Sequence, residues 1–216
     1  MAIVQSGNIQ FSSFSTLARA GELTVSSNTW QWVNPSNAQT SNNQYAVLQW
    51  SNSGGSSQPE QLSQNGYVNY LVCKQLSSSI PTGSTINGIT VKFERYNSEG
   101  GELLTITDNA IYLTKDGTNT VGSNKSAGAT WGLTDTNTLS ESFGSSSDLW
   151  GTTFTAAEVN ASTFGVMISP NINFTGGGAI GPNVKIDQII IDINYTTSGV
   201  ESRRAIFTSG AELRTV

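Results

Sequence analysis

The chain has 216 residues, of which 36% are hydrophobic and 12% are charged, and its formal net charge is −5. Its ten basic residues are scattered rather than grouped in a stripe, which argues against a nucleic-acid-binding protein. The low charge, together with five Trp, six Tyr and eight Phe, differs from the composition of a disordered chain. We therefore expect a folded protein, and a single domain is preferred at this length.

The N-terminal stretch MAIVQSGNIQF has no basic segment followed by a long apolar core, so we expect no signal peptide. No apolar run approaches the length of a transmembrane helix, and no membrane partner is expected. The single cysteine, Cys73, excludes an internal disulfide bond, and its apolar surroundings in YVNYLVCKQL predict a buried thiol. The chain has no histidine, which excludes triads and metal sites that need an imidazole.

Strand signals recur along the chain, whereas helical periodicity is absent. YVNYLVCKQL is the first clear strand, and the loop SSSIPTGST follows it. In ITVKFERY, the apolar residues Ile89, Val91 and Phe93 alternate with polar ones, as in a strand with one buried face. Glu94 belongs to the polar set and is expected on the opposite face.

Two later segments continue the strand pattern. In NAIYLTKDGTNTV, the pair Asp116 and Gly117 follows an apolar run and predicts a tight turn. The segment VKIDQIIIDINY places four apolar residues on one face: Ile189, Ile191, Ile193 and Tyr195. Strands separated by turns, without helices between them, predict an all-β protein with a single jelly-roll-like antiparallel β-sandwich. We place the sandwich at residues 28–196, between an N-terminal arm (1–27) and a C-terminal extension (197–216).

The segment DLWGTTFTAAEVNASTFGVMIS contains two carboxylates, Asp148 and Glu158, on either side of Trp150. Paired carboxylates across a cleft are the arrangement that a glycosidase needs. However, Thr155 and Glu158 have the spacing of a capping box, in which each side chain caps the other's backbone amide. We therefore prefer a structural role for this segment and predict no catalytic residue.

Packing positions around the capping box support the structural interpretation. Phe154 and Val159 stand at the two staple positions that flank the box. Trp150 is predicted to plug one end of the core, and a strand is expected to begin near Phe164.

Two ligand sites remain open from the sequence. Carboxylates near the glycine loop NSEGGELL offer oxygen ligands for calcium, although the EF-hand spacing is absent and a solvated loop is preferred. These carboxylates are Glu94, Glu99, Glu102 and Asp108. Aromatic side chains suited to stacking on sugars, or equally to filling the core, are Trp30, Trp32, Tyr45 and Trp50. Neither pattern is specific, so no metal or cofactor is assigned.

Five short motifs follow one another in the second half of the chain. They are Leu-x-Lys-x-Gly at 113–117, Gly-x-Asn-Lys at 122–125, Trp-Gly at 131–132, Leu-Trp-Gly at 149–151 and Phe-Gly-Val at 164–166. With the capped turn and a closing strand that ends in INYT, this order resembles a β-sandwich domain of virion structural proteins from tailed bacteriophages and prophages. The resemblance covers residues 30–196, and the opening SGNIQFSSF is similar to the start of many phage structural proteins.

The resemblance implies a location in the virus particle. A β-rich chain without export signal or disulfides agrees with a coat component made in the host cytoplasm and released by lysis. We therefore predict a non-enzymatic virion structural protein, with a capsid decoration (cement) protein as first interpretation and a tail, baseplate or fibre component as second. The expected partners are copies of itself, as a homo-oligomer, and virion proteins such as the major capsid protein. A carbohydrate-binding or host-adhesion module that binds a host glycan is the alternative.

The C-terminal extension differs in composition from the rest of the chain, because basic and apolar residues are interleaved there. We predict an assembly arm that docks on a neighbouring subunit, possessing both apolar anchors and guanidinium groups that can pair with carboxylates. Packing of the extension against its own sandwich is the alternative. The residues predicted to bind the partner are Arg203, Arg204, Ile206, Phe207, Leu213 and Arg214.

Overall fold

The computed structural model describes eight stretches of the chain, which include most of the expected sandwich. Regular structure in them is almost entirely antiparallel strand, so the all-β prediction is confirmed. No helix in these stretches is long and apolar enough to cross a membrane. The described residues are 2–22, 24–25, 28–50, 65–77, 79–97, 104–139, 141–174 and 184–197.

Twelve strands lie in the described part of the chain, together with a 3-10 turn at Pro35–Ala38 and the short helix α1 at Ala156–Val159. In chain order, the strands are β1 Ala2–Leu17, β2 Thr24–Val25, β3 Asn28–Val33, β4 Ala46–Trp50, β5 Gly66–Tyr67, β6 Tyr70–Leu76, β7 Thr85–Asn97, β8 Leu104–Thr114, β9 Thr120–Val121, β10 Glu141–Gly144, β11 Gly165–Phe174 and β12 Val184–Thr197.

The strands form two sheet layers that are joined through β1. In the first layer, which we call sheet A, the order is β10, β7, β12, and the far edge of β12 pairs with both β1 and β4. In the second layer, sheet B, the order is β6, β11, β8, β9. The first half of β1 pairs with β12 and its second half pairs with β6, so one strand passes from sheet A to sheet B.

The segment predicted as an N-terminal arm therefore differs from the structure over residues 2–17. Ile9 and Phe11 of β1 are buried in the core. The apolar alternation of IVQSGNIQF is weak, because Gln5, Ser6 and Asn8 interrupt it. Long-range pairing with β12 and β6 places this segment in the sandwich, and such pairing cannot be read from local pattern.

The main core lies between the two sheets and is filled by the residues that alternate inward. Ile89, Val91 and Phe93 of β7 face Ile111 and Leu113 of β8 within one continuous apolar cluster. Trp150 is fully buried in the same cluster and its indole N–H donates to the carbonyl of Ile89 at 2.9 Å. The predicted burial of Trp150 is confirmed.

Local predictions in this region are also confirmed. Cys73 is fully buried, and burial raises the pKa of its thiol. Gly117 has a φ of +77°, and the Asp116 carboxylate accepts the amides of residues 118 and 119, which closes the expected turn. The hydroxyl of Thr155 accepts the amide of Glu158, and the Glu158 carboxylate accepts the amide of Thr155.

Candidate functional site

A cluster of three carboxylates lies on the outer face of sheet A. Glu94 follows the core residue Phe93 on β7 and, because side chains alternate along a strand, it points away from the core. The sequence places it on a solvated polar face. The structure instead buries it, with only 1% of the residue exposed.

A bulge in β12 brings the second carboxylate beside Glu94. Arg95 pairs with Ile186, and Glu94 pairs with Gln188, so Asp187 is the extra residue between two ladder positions. A bulge of this kind turns the side chain of the unpaired residue to a face it would not otherwise reach. Asp187 is fully buried, and its carboxylate lies next to that of Glu94.

The third carboxylate belongs to a loop that folds over the sheet. Asp135 lies in the connection between the Trp131 region and β10, and it is half-buried. One oxygen from each of Glu94, Asp135 and Asp187 lies within 4.8 Å of the other two. Three segments that are distant in sequence therefore converge on one point.

Asp187 and Asp135 are each held by hydrogen-bond donors. The backbone amides of Asn42 and Asn43 donate to Asp187 at 3.1 and 2.9 Å, which fixes the loop after the 3-10 turn against β12. Asp135 accepts the Tyr45 hydroxyl at 2.8 Å and the amide of residue 137 at 2.8 Å. Both carboxylates are therefore oriented before any ligand arrives.

Glu94 has no such support. Both of its carboxylate oxygens are buried, and neither accepts a hydrogen bond of good geometry from the described residues, although the Ser41 hydroxyl lies nearby. The Asp135 carboxylate is close, but two carboxylates form a hydrogen bond only when one of them carries a proton. Burial, reinforced by Asp135, raises the pKa of Glu94 to about 7, and the nearby Ser41 hydroxyl opposes this shift.

The pKa values of the other two carboxyl groups are shifted in opposite directions. Burial raises the pKa of Asp187, although the amides of Asn42 and Asn43 counteract it. Burial also acts to raise the pKa of Asp135, but hydrogen bonds outweigh it and the net shift is downward. Lys185 contributes to that lowering, and its ammonium group lies 5.1 Å from the centre of the Tyr45 ring.

The chemistry of this cluster is that of an oxygen-donor site. It contains carboxylates, a phenol and backbone amides, and no thiol lies in it. Hard cations such as calcium and magnesium prefer oxygen ligands of this type. With Glu94 1% exposed and Asp187 fully buried, these two carboxylates are out of reach of a polymeric substrate.

Of the carboxylates that the sequence grouped around the glycine loop, Glu94 and Asp108 are described, and they do not share a site. Asp108 faces inward, where it accepts Arg95 at 2.9 Å and the indole N–H of Trp131 at 2.9 Å. Its two oxygens are thus already engaged within the protein. Glu99 and Glu102 lie outside the described residues, so the calcium hypothesis for that loop stays a prediction for them.

The aromatic residues considered for sugar stacking are mostly core residues. Trp30 and Trp32 are 1% and 4% exposed, which removes them as a stacking surface. Tyr45 is half-buried and binds Asp135 of the carboxylate cluster. The side chain of Trp50 is not among those described. The carbohydrate-binding alternative therefore stays a prediction, and Trp30 and Trp32 no longer belong to its candidate residues.

The predicted partner-binding residues lie beyond the last described strand. Arg203, Arg204, Ile206, Phe207, Leu213 and Arg214 all fall outside the described residues. The assembly-arm hypothesis accordingly stays a prediction.

Sequence reasoning missed Asp135 and Asp187, although one signal for Asp187 was present. In β12, the buried positions 184 and 186 are even-numbered, whereas Ile189 and Ile191 are odd-numbered. This change of parity marks an inserted residue near position 187, because side chains in an uninterrupted strand alternate strictly. Asp135 lies in a polar loop, where no local pattern distinguishes it from its neighbours.

Compared with known proteins, the chain matches no family model, no curated protein sequence and no solved structure at significant similarity.

Proposed function

We propose that the chain is a non-enzymatic structural protein of a tailed-bacteriophage particle. Capsid decoration is the first assignment, and a tail, baseplate or fibre component is the second. The observation that carries the proposal is the use of the motif residues between 113 and 166. The polar groups of these residues form hydrogen bonds and ion pairs with other parts of the same chain, and these contacts stabilise the sandwich.

The first group of these contacts lies at the loop after β8. Lys115 forms an ion pair with Glu158 of α1 at 2.8 Å, and its carbonyl accepts the Thr163 hydroxyl at 2.7 Å. These contacts join the end of β8 to the capped turn. Because Glu158 is engaged by Lys115 and by the capping box, it is occupied by structural bonds and is a poor candidate for acid–base catalysis.

A second group of intrachain contacts surrounds Trp150. Lys125 pairs with Asp148 at 2.6 Å, and the backbone amide of Ser123 donates to the carbonyl of Trp150. A Cβ at Gly122 would collide with that carbonyl, so the motif requires glycine there. The paired carboxylates of this region, Asp148 and Glu158, are thus each bound to a lysine.

We also propose that the sandwich is a jelly roll. Sheet A contains the order β1, β12, β7, β10, and sheet B contains β6, β11, β8, β9. The chain alternates between these two groups of four strands, as expected for paired Greek keys, which are common in viral capsid domains. A fold alone does not specify function. The strand order therefore supports the virion assignment, and detection of the protein in purified particles tests it.

The virion assignment is tested by quantitative mass spectrometry of purified phage particles whose genome encodes this chain. With the major capsid protein as internal standard, hundreds of copies per particle support capsid decoration, and a few copies support a tail position. Complete absence from the particles would refute the assignment.

A turnover screen tests the non-enzymatic part of the proposal. We expect no product from polysaccharides or peptidoglycan incubated with the purified protein. Turnover that disappears in Asp148→Asn or Glu158→Gln would contradict it.

We retain the assembly arm as part of the proposal. A chain without residues 198–216 is expected to fold and melt like the full chain, yet to fail in oligomer or particle assembly. Ile206→Ser combined with Phe207→Ser in the full chain should reproduce the failure, because the apolar anchors are lost. Glu212→Gln serves as the matched control and should assemble normally. Normal assembly of the truncated chain would refute the arm.

A further inference from the structure

We propose that Glu94, Asp135 and Asp187 form a calcium site that fastens two loops to the outer face of sheet A. The inference is independent of where the protein acts, since it concerns the isolated chain. The loops in question are 39–45, held through Asp187, and 131–139, which carries Asp135.

The spacing of the three carboxylates suits one shared cation. Calcium binds carboxylate oxygens at about 2.3–2.6 Å, so oxygens on one ion lie at most about 5 Å apart. The three oxygens of the cluster lie within 4.8 Å of one another. Separations in this range are compatible with one ion shared by the three carboxylates.

The unpartnered carboxylate of Glu94 is the second and independent observation. Acidic groups often cluster on surfaces, where water solvates them, but Glu94 is 1% exposed. The Ser41 hydroxyl lies near it, yet neither carboxylate oxygen accepts a hydrogen bond of good geometry from the described residues. A buried polar group without a partner is costly, and a buried charge more so. Glu94 points at Asp135 and Asp187, so the missing partner belongs between these three groups.

The surrounding protein supplies too little positive charge to serve as the missing partner of Glu94. Lys185 acts on Asp135 from a distance, but in the described chain no lysine or arginine forms an ion pair with any of the three carboxylates. The Lys185 ammonium group is instead placed over the rings of Tyr45 and Tyr96, at 5.1 and 5.4 Å. A divalent cation would balance most of the remaining negative charge.

Hydrogen bonds to Asp135 and Asp187 have the character of an outer coordination shell. Ligating carboxylates are generally oriented by further hydrogen bonds, and here Tyr45 and the amides of Asn42 and Asn43 supply them. Oδ2 of Asp187 accepts both amides, whereas Oδ1 accepts only that of Asn42, at 3.3 Å, and keeps a lone pair for a metal. Each oxygen of Asp135 accepts one hydrogen bond and likewise keeps a lone pair.

Calcium is favoured over other cations by the composition and irregularity of the site. Zinc prefers nitrogen and sulfur ligands, and magnesium requires a near-ideal octahedron. Calcium accepts irregular sets of oxygen ligands and completes its shell with water. Since Asp135 is half-buried, water can reach the side of the site that it occupies.

Thermal unfolding of the purified chain, in EDTA and in millimolar calcium chloride, tests the site. At a calcium concentration of a hundred times Kd, binding to the folded state raises the melting temperature by roughly 5–10 °C. Calorimetric titration should yield one calcium ion per chain. Unchanged melting together with no heat of binding would overturn the site, and a proton shared between Glu94 and Asp135 would then be its replacement. Preference for magnesium over calcium would overturn the calcium assignment.

Three variants locate the binding. Asp135→Asn and Glu94→Gln should each remove most of the calcium-dependent shift, because each loses a charged ligand. Asp116→Asn, an acidic turn residue outside the cluster, is the matched control and should retain the full shift. Should Glu94→Gln fail to fold, Asp135→Asn still decides, since its side chain is half-buried in a loop. A full shift in Asp135→Asn would overturn the proposed ligands.

Discussion

Glu94 and Arg95 are neighbours on β7, and both are buried charges, but they point to opposite faces of sheet A. Arg95 faces the side of Phe93, where Asp108 binds it at 2.9 Å and the Trp131 ring lies 4.9 Å from its guanidinium carbon. Glu94 faces the outer side, where its close charged neighbours are two more carboxylates.

The difference shows two ways in which a strand accommodates a buried charge. On the Arg95 side, the opposite charge comes from β8 across the core, although Nε and Nη1 of Arg95 still have no hydrogen-bond partner. On the Glu94 side, the neighbouring groups repeat the same charge. The first side is complete enough to be structural, whereas the second requires a proton or a cation from outside the chain.

Removal of the counter-ion on the Arg95 side should have the largest effect. Asp108→Ala leaves a buried guanidinium without its carboxylate, and we expect a loss of about 3–5 kcal/mol in the free energy of unfolding. Denaturant titration measures this loss. Glu141→Gln is the control, because Glu141 lies 3.4 Å from Arg95 with 36% of its side chain exposed, and the expected loss is below about 1 kcal/mol. Equal losses in the two variants would contradict the contrast.

Variants that remove only packing contacts provide a reference for the stability losses caused by unpaired charges. Trp150→Ala and Phe164→Ala should each cost about 3–5 kcal/mol, since both side chains are fully buried. Neither change removes a charge, so the pH dependence of stability should stay as in the parent. A melting temperature within a degree or two of the parent, measured by circular dichroism, would show that Trp150 is not a core residue.

On the other side of the strand, removal of the charge should stabilise the metal-free protein. In EDTA at about pH 8, Glu94→Gln is expected to raise the free energy of unfolding by about 1–3 kcal/mol, because an unsatisfied buried group is neutralised. The side chain keeps its size, so packing should change little. A loss of stability in denaturant titration would indicate that Glu94 has a partner within the protein.

The same residue predicts a pH dependence of the metal-free parent. The pKa of Glu94 rises from 4.5 to about 7 on folding, so the folded state binds a proton that the unfolded state has released. Stability should therefore fall as pH rises from 4.5 to about 7, and Glu94→Gln should lack this decline. Parallel pH profiles of parent and variant in EDTA would contradict the assignment of the shift to Glu94.

The smallest effect is expected at the exposed capping box, where the pH dependence has the opposite sign. Glu158→Ala should cost about 0.5–2 kcal/mol, the usual value of a lost helix cap. Glu158→Gln is the matched control, since glutamine can retain the box and loses only the ion pair to Lys115, so its cost should be smaller.

The ion pair with Lys115 and the capping amide lower the pKa of Glu158. Its contribution is therefore present above the unfolded value of 4.5 and disappears as pH falls below it. Chemical denaturation across the acidic range measures this contribution. A larger loss in Glu158→Gln than in Glu158→Ala would show that the box contributes nothing.

The strands and the capped turn were predictable because their signals are local. Alternation in β7 and in the second half of β12 identified the inward residues, and the spacing of Thr155 and Glu158 specified the capping box. Each of these features depends on residues within a few positions of one another. The all-β class follows directly from them.

The buried charges were decided by tertiary structure. Alternation correctly placed Glu94 on the face opposite Phe93, but whether that face meets water depends on loops 39–45 and 131–139. Asp108 was considered as a possible calcium ligand, with a solvated loop preferred, and the structure instead makes it the counter-ion of Arg95, because β8 lies across the core from β7. Loop closure over a sheet and the pairing of distant strands involve residues far apart in sequence. Their free energies depend on the whole packed structure, which a local pattern does not contain.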